Sequence, residues 1–267
     1  MSFNDISTNQ QGETAISRWT RAIIMAAKVG KGLSKDNKSE KLILASKYWI
    51  EAVDPLHRYG NNLRPYYLTW FNSHVISQPF FYWLDYGNGK QVTLEECSRT
   101  DLQSQCVKYL SPKEREEYEV VVDESRKMLV YKKSGYPIDT PKGTKWIFVV
   151  STNGVLYVGE KQKGFFQHSS FVAGGAVFAA GRIVASNGFL QAIWAYSGHY
   201  RPTEENLKVF MSFLHQHNLD LTLVKTVPID DDIPPPPPPP PPTPAYNMEK
   251  QQLNSDIINK KFSNIII

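Results

Sequence analysis

The sequence predicts an α+β fold, in which helices come first, an antiparallel β-sheet built from hairpins follows, and a C-terminal helix closes the domain. Apolar residues recur at helical three- and four-residue spacing in the N-terminal part, and they alternate with polar residues from Tyr118 onward. Two asparagine–glycine pairs, Asn153-Gly154 and Asn187-Gly188, interrupt the alternation where hairpins turn. Nine consecutive prolines, Pro234–Pro242, adopt polyproline II and cannot join a core, so they predict a disordered tail.

These patterns predict one folded domain between two tails. Residues 1–12 are polar and are predicted to be a flexible N-terminus, residues 13–228 form the α+β domain, and residues 229–267 form the disordered, polyproline-containing tail. A hydrophobic content of 41% is enough for a sizeable core. No stretch reaches the ~18 apolar residues of a membrane span, and the N-terminus lacks the layout of a signal peptide, so no membrane association is predicted.

Helices and one strand are predicted before the sheet. Helical spacing covers residues 13–29, and again residues 38–53, where Leu42, Ala45, Trp49 and Val53 share one face. Residues 79–90 are predicted as a strand that enters a Gly-Asn-Gly turn. Residues 93–110 are predicted as a helix capped by Thr93, and the next helix starts with Ser111 as its cap.

The second half of the domain is predicted as hairpins and a helix. Alternating apolar residues predict hairpins over residues 118–135, 145–164 and 179–198. Thr203 then caps a helix over residues 203–218. Its inward-facing residues are Leu207, Phe210, Phe213 and Leu214.

The charge distribution and the cysteines limit the classes of partner and compartment. The net charge is +4, and the segment 13–47 alone holds eight basic and three acidic residues. This balance is too mild for a general nucleic-acid binder, so no nucleic-acid partner is predicted.

Cys97 and Cys106 stand nine residues apart, which is neither a CxxC pair nor a disulfide framework. Reduced thiols are therefore expected, as in a reducing intracellular compartment.

Several long blocks of the sequence resemble the plant IQM proteins, which are IQ-motif-containing, calmodulin-binding proteins. The resemblance runs through residues 12–227 and includes "ETAISRWTRAIIMAAKVGKGLSK" and "FQHSSFVAGGAVFAAGRIVASNGFLQAIWAYSGHYRP". It implies a signalling or adaptor protein of the cytoplasm and nucleus that binds calmodulin in biotic and abiotic stress or hormone responses. The family's IQ motif, IQxxxRGxxxR, lies upstream of the first of these blocks. No IQxxxR occurs in this sequence, so the chain resembles a short form without it.

The first predicted helix has the character of a calmodulin target. Calmodulin accepts basic amphipathic helices with bulky anchors, because its grooves are lined by methionine and rimmed by acidic residues. The anchors here are Ile16, Trp19, Ile23 and Ile24, and the basic residues are Arg18, Arg21 and Lys28. The alternative is that the apolar face docks this helix on its own domain. A membrane-surface helix is a third interpretation, for which the apolar face is short.

A polar cluster between Phe166 and Pro202 raises the alternative of an enzyme or small-ligand sensor. If the strand through His168 pairs near the strand that ends at His199, hydroxyls and imidazoles gather at one end of the sheet, where a small anionic or nucleotide-like ligand would fit. The predicted cleft residues are His57, Arg58, His168, Ser169, Ser170, Ser197, His199 and Tyr200. The competing interpretation is that both histidines are structural hydrogen bonders.

The same stretch carries no recognisable catalytic or metal motif. A serine nucleophile needs a base and an orienting acid, and neither Asp nor Glu occurs between Glu160 and Glu204. The histidine spacings predict no metal site, and no cofactor motif is present. The sequence therefore favours a calmodulin-linked adaptor over an enzyme, and the expected partners besides calmodulin are other signalling proteins and polyproline-binding domains. A paralogue without the IQ motif that does not bind calmodulin is a further alternative.

Overall fold

The computed structural model describes residues 42, 44–45, 48–73 and 78–229 of the chain. All of these residues belong to one compact unit. The predicted helix over residues 13–29, with all of its proposed calmodulin contacts, lies outside the described residues. The predicted tail lies outside them from residue 230 onward.

A six-stranded antiparallel sheet forms the centre of the structure and confirms the predicted α+β class. The strands are β1 (Glu119–Asp123), β2 (Met128–Tyr131), β3 (Trp146–Ser151), β4 (Leu156–Glu160), β5 (Val177–Ser186) and β6 (Phe189–Trp194). Their order across the sheet is β2-β1-β4-β3-β5-β6. The sheet curls until its two edges meet. The Leu129 N–H of the edge strand β2 donates to Gly188 O, in the turn that leads into the other edge strand, β6, at 2.8 Å.

Seven α-helices of the described chain surround this sheet. They are α1 (Trp49–Val53), α2 (Gly60–Asn72), α3 (Phe80–Asp85), α4 (Arg99–Ser104), α5 (Pro112–Arg115), α6 (His168–Val172) and α7 (Glu204–Gln216). The longest of them have 13 residues. Within the described residues, therefore, no helix has the length and apolarity needed to cross a bilayer.

All three predicted hairpins are confirmed, and so are two of the predicted helix caps. Asn187 (φ 49°) and Gly188 (φ 83°) both adopt the left-handed conformation that a tight hairpin turn requires. Thr203 Oγ1 accepts the Asn206 N–H at the start of α7. Ser111 forms a capping box with Glu114 at the start of α5.

The two faces of the sheet pack in separate apolar clusters, as the alternation within β3 requires. Phe148 and Val150 face α7, where the rings of Phe148 and Phe210 stack at 4.1 Å. Ile147 and Val149 face the opposite side, which is covered by α6 and by the chain around α1. The second face therefore positions the polar cluster described below.

The predicted helix over residues 38–53 is wrong in its N-terminal part. Leu42 forms an antiparallel bridge with Val177 at the start of β5, through backbone hydrogen bonds of 2.8 and 3.0 Å. The Ala45 N–H donates to His199 O at 2.7 Å. These backbone groups pair with distant parts of the chain instead of with a helix, and α1 begins only at Trp49.

The predicted strand over residues 79–90 is also wrong, because Phe80–Asp85 is the helix α3. Alternation would bury Tyr82 together with Phe80 and Leu84, but Tyr82 is 46% exposed whereas Phe81 and Trp83 are buried. This burial pattern is helical. The buried aromatic residues pack with α2 and α4 in a third cluster.

The predicted helix over residues 93–110 is much shorter in the structure. Ser98 rather than Thr93 caps it by accepting the Asp101 N–H at 3.0 Å, and α4 ends at Ser104. Beyond α4 the chain is held beside other loops: the Val107 N–H donates to His57 O at 2.7 Å, and the Leu110 N–H donates to Ser170 O at 3.0 Å. The path of this segment places Tyr109 in the buried polar cluster that is described below.

Replacing Gly181 with alanine is expected to destabilise the sheet by about 2–3 kcal/mol, because overpacking forces neighbouring atoms to move. A Cβ atom there would lie 2.2 Å from Trp194 O and 2.8 Å from a ring carbon of Phe148. Gly154 is the matched control, since it has φ +75° but open space around it, so its alanine variant costs about 1 kcal/mol of backbone strain alone. Urea unfolding measures both values, and equal losses would contradict the packing argument.

Candidate functional site

The carboxylate of Glu51 is the centre of a buried polar cluster. Its side chain is fully buried, and Oε2 accepts the Gly60 N–H at 2.9 Å. Oε1 accepts hydroxyl hydrogen bonds from Tyr109 at 3.2 Å and from Ser169 at 3.3 Å. His199 Nε2 lies 3.3 Å from both oxygens, so it donates when its proton is on Nε2. One acid thus joins four separate parts of the chain.

The elements of the fold bring these groups together. Glu51 lies on α1, Gly60 begins α2, and Ser169 lies in the first turn of α6. His199 follows β6, and its ring stacks on that of Tyr48 with centroids 3.8 Å apart. Because Ala45 also binds His199 O, both the ring and the backbone of this histidine contact the chain that leads into α1.

Two of the predicted cleft residues precede α2 and have different partners. His57 Nδ1 lies 3.1 Å from the backbone oxygen of Glu51, and the His57 ring stacks on that of Tyr109 with centroids 4.3 Å apart. Arg58 is turned away from this cluster. Its guanidinium pairs with Asp54 through contacts of 2.6 and 3.0 Å and with Asp85 through contacts of 2.6 and 3.0 Å.

The histidine and serines at residues 168–170 lie on α6 rather than on the predicted strand. The prediction of a strand through His168 is therefore wrong. His168 Nε2 donates to Gly181 O of β5 at 2.9 Å, and Ser170 Oγ accepts the Gln167 N–H at 2.9 Å. Among these three residues, Ser169 contacts Glu51. This geometry favours the structural interpretation for His168 and Ser170.

The residues at 197–200 likewise divide between local contacts and the cluster. Ser197 Oγ accepts the Tyr200 N–H at 3.3 Å, which holds the turn that presents His199. The Tyr200 hydroxyl donates to Gly175 O at 2.7 Å. Of the eight predicted cleft residues, Ser169 and His199 contact the Glu51 carboxylate, and His57 contacts its backbone. Their binding of a ligand stays a prediction.

Burial fixes the protonation of several groups around this centre. Burial, followed by the charge of Glu51, raises the pKa of Tyr109 well above its usual range, so Tyr109 remains a hydrogen-bond donor. Burial lowers the pKa of His168 to about 3, and it is therefore a neutral imidazole. Burial also opposes the charge of Arg58, but its hydrogen bonds to Asp54 and Asp85 outweigh this effect and raise the pKa.

The arrangement does not match a serine–histidine–acid triad. In such a triad the histidine lies between the serine and the acid, so that it can take the serine proton. Here the Glu51 carboxylate lies between the serine and the histidine: it accepts from the Ser169 hydroxyl, and His199 Nε2 lies 3.3 Å from it. The part of the chain that the structure describes also contains no group of three His, Cys, Asp or Glu side chains able to hold a metal ion.

Sequence reasoning missed Glu51 and Tyr109. The acid lies far in sequence from the polar stretch that holds His168 and His199, since Glu51 precedes His199 by 148 residues. One signal was available: a single glutamate lies inside the apolar and aromatic stretch from Tyr48 to Val53. A charge in that setting requires a buried partner.

The fold and the cluster together define an α+β domain whose interior is joined by a network of polar side chains. Residues 114–207 match the family model described as IQ motif-containing protein middle domain. No solved structure matches the chain.

Three Arabidopsis thaliana proteins are similar over most of this chain. IQ domain-containing protein IQM5 is 56% identical over 225 residues, which are 84% of this chain and 44% of that protein. IQM2 is 55% identical over 87% of this chain and 38% of its own length. IQM1 is 56% identical over 84% of this chain and 45% of its own length. The chain therefore belongs to the plant IQM family, and it spans less than half the length of these relatives.

Proposed function

We propose that this chain is a calmodulin-linked adaptor of plant signalling, which binds calmodulin through the segment from Ile16 to Lys28. Membership in a family of IQ domain-containing proteins supports this proposal. The observation that carries it is the pattern of that segment, in which apolar anchors alternate with basic residues. Within the given sequence, this segment has the basic amphipathic pattern of helices that calmodulin accepts.

Replacing Trp19 with alanine is expected to weaken calmodulin binding by about 10- to 100-fold, because a buried aromatic anchor contributes most to such an interface. Calorimetric titration of the full chain with calmodulin, with and without Ca²⁺, measures this change. Replacing Arg18 and Arg21 with glutamate should weaken binding through repulsion from the acidic rims. The charge-matched control changes Lys90 and Lys163, which are exposed on the folded body, to glutamate. Absence of binding by the unmodified chain in both calcium states would overturn the proposal and favour a paralogue that does not bind calmodulin.

We extend the proposal to the subcellular location and the physiological role of the protein. The family resemblance supports a location in the cytoplasm and nucleus and a role in biotic and abiotic stress or hormone responses. The nine prolines of the C-terminal segment support a second contact, with polyproline-binding domains of other signalling proteins. A fluorescent fusion in plant cells tests the location, and deletion of Pro234–Pro242 tests the second contact.

A further inference from the structure

We propose that Asn153 is a site of non-enzymatic deamidation, in which water converts its side-chain amide to a carboxylate. The residue stands with Gly154 at the tip of the hairpin that joins β3 to β4. The inference goes beyond calmodulin binding, because the reaction takes place on the folded body and needs only water as a co-reactant.

The reaction begins with the backbone nitrogen of the residue that follows the asparagine. The Gly154 nitrogen attacks Cγ of Asn153, so that a new N–Cγ bond forms and the Cγ–Nδ2 bond breaks. Nδ2 leaves as ammonia with the proton that the Gly154 nitrogen loses. Water then opens the cyclic imide at one of its two carbonyl carbons, which gives either aspartate or isoaspartate, whose main chain runs through Cγ. Glycine favours the first step, because it has no side chain to obstruct the approach and its backbone adopts many conformations.

The sequence contains three asparagine–glycine pairs, which local chemistry alone makes equivalent: Asn88-Gly89, Asn153-Gly154 and Asn187-Gly188. In the structure all three glycine N–H groups donate hydrogen bonds, at 2.9, 2.9 and 2.7 Å respectively. A nitrogen held in this way does not reach the neighbouring Cγ until the turn opens. The rate at each pair therefore depends on how many contacts the opening breaks.

The turn at Asn153 opens by breaking contacts within itself. Both Asn153 and Gly154 are exposed, and the Gly154 N–H donates to Ser151 O of the same turn. A Cβ atom added at Gly154 would have no neighbour within 4 Å. Below the tip, the Ser151 N–H donates to Val155 O at 2.9 Å and keeps the hairpin closed. The tip therefore opens while β3 and β4 remain paired, a local fluctuation that is typical of exposed loop tips.

The turn at Asn187 is held by distant parts of the chain. The Gly188 N–H donates to Ile138 O at 2.7 Å, and Gly188 O accepts the Leu129 N–H at 2.8 Å. The Asn187 N–H donates to Asp139 Oδ1 at 2.9 Å. Gly188 is also buried. Opening this turn therefore separates the two edges of the curled sheet.

The turn at Asn88 is closed by an aromatic side chain. A Cβ atom added at Gly89 would lie 2.5 Å from two carbon atoms of the Trp83 indole, so the glycine packs directly against this ring. The Gly89 N–H donates to Trp83 O, and the Asn88 N–H donates to Gln78 Oε1 at 3.1 Å. Trp83 belongs to the third apolar cluster, so opening this turn disturbs a packed core.

The folded full chain is incubated in mildly alkaline buffer, and deamidation is followed by peptide mapping with mass spectrometry. Opening at Asn187 breaks two more hydrogen bonds than opening at Asn153, and each reduces the open population about 2- to 10-fold. Asn153 is therefore expected to react about 10-fold faster than Asn187. Equal rates at the two sites, or no reaction at Asn153, would overturn the proposal.

Two controls test whether the structure sets these rates. In concentrated guanidinium chloride all three pairs should react at similar rates, because the unfolded chain protects none of them; a preference for Asn153 that persisted there would contradict the argument. Asp139→Ala removes the acceptor of the Asn187 N–H, so it should accelerate the reaction at Asn187 about 2- to 10-fold and leave Asn153 unchanged. An unchanged rate at Asn187 would show that these contacts do not protect it. None of these measurements involves calmodulin, so failure of the calmodulin proposal leaves the test intact.

Discussion

Replacing Glu51 with alanine is expected to lower the free energy of unfolding by about 3–5 kcal/mol, the range for removing one partner of a buried charged network. The substitution leaves the Gly60 N–H and the donors of Tyr109 and Ser169 without an acceptor. Each buried donor left unpaired costs about 1–3 kcal/mol, and neighbouring losses are not additive. Urea unfolding followed by tryptophan fluorescence measures the loss.

Two further variants distinguish the loss of the hydrogen-bond network around Glu51 from the loss of a carboxylate charge in general. Ser169→Ala removes one donor and keeps the acceptor, so it should cost only about 1 kcal/mol. Glu95→Ala removes a carboxylate from an exposed position and should leave the unfolding midpoint unchanged within error. If Glu51→Ala proved as stable as Glu95→Ala, Glu51 could not be the centre that joins these elements.

Replacing Arg58 with alanine is expected to destabilise the protein by about 3–5 kcal/mol, because it leaves the buried carboxylate of Asp54 without its cation. Asp54 is fully buried, and both Asp54 and Asp85 are held by two guanidinium contacts each. Arg58, Asp54 and Asp85 thus form a clamp that ties the loop after α1 to α3. The clamp thereby connects the apolar cluster of α2, α3 and α4 to the rest of the body. Thermal and urea unfolding measure the effect.

Arginine geometry distinguishes this clamp from a simple charge pair. Arg58→Lys keeps the positive charge but lacks the planar fork that meets two carboxylates at once, so it should recover less than half of the lost stability. Lys132→Ala breaks the exposed pair with Glu119 and should leave the unfolding midpoint unchanged within error. Full recovery by lysine would show that charge alone, rather than geometry, holds the two aspartates.

The sequence predicts the second half of the fold better than the first, for a physical reason. Local chemistry determines the hairpin at Asn187-Gly188 and the caps at Thr203 and Ser111, and all three occur as predicted. The apolar stretch at residues 80–84 is too short for its period to distinguish a helix from a strand. Leu42 lies in a stretch with helical spacing, but its backbone pairs with β5, a contact that no local pattern encodes.

The residues of the candidate site are even harder to predict from local sequence patterns than the fold. Ser169 and His199 both lie in the polar stretch from Phe166 to Pro202, and the sequence predicts them as site residues for that reason. The acid that joins them was not found, because only folding brings Glu51 to Ser169 and His199. The sequence places Arg58 in the cleft because it adjoins His57, yet adjacent residues in a loop face different partners. The guanidinium meets Asp54 and Asp85, while His57 stays beside Glu51.

The place of Glu51 in the chain affects how fragments of such proteins should be cut. The family model begins at residue 114 and therefore excludes Glu51, Arg58 and Tyr109. A recombinant fragment trimmed to residues 114–207 would lose the acid that Ser169 and His199 share and would bare the apolar side of β3. Expression boundaries are therefore better placed before Leu42, whose pairing with β5 makes it part of the same folding unit.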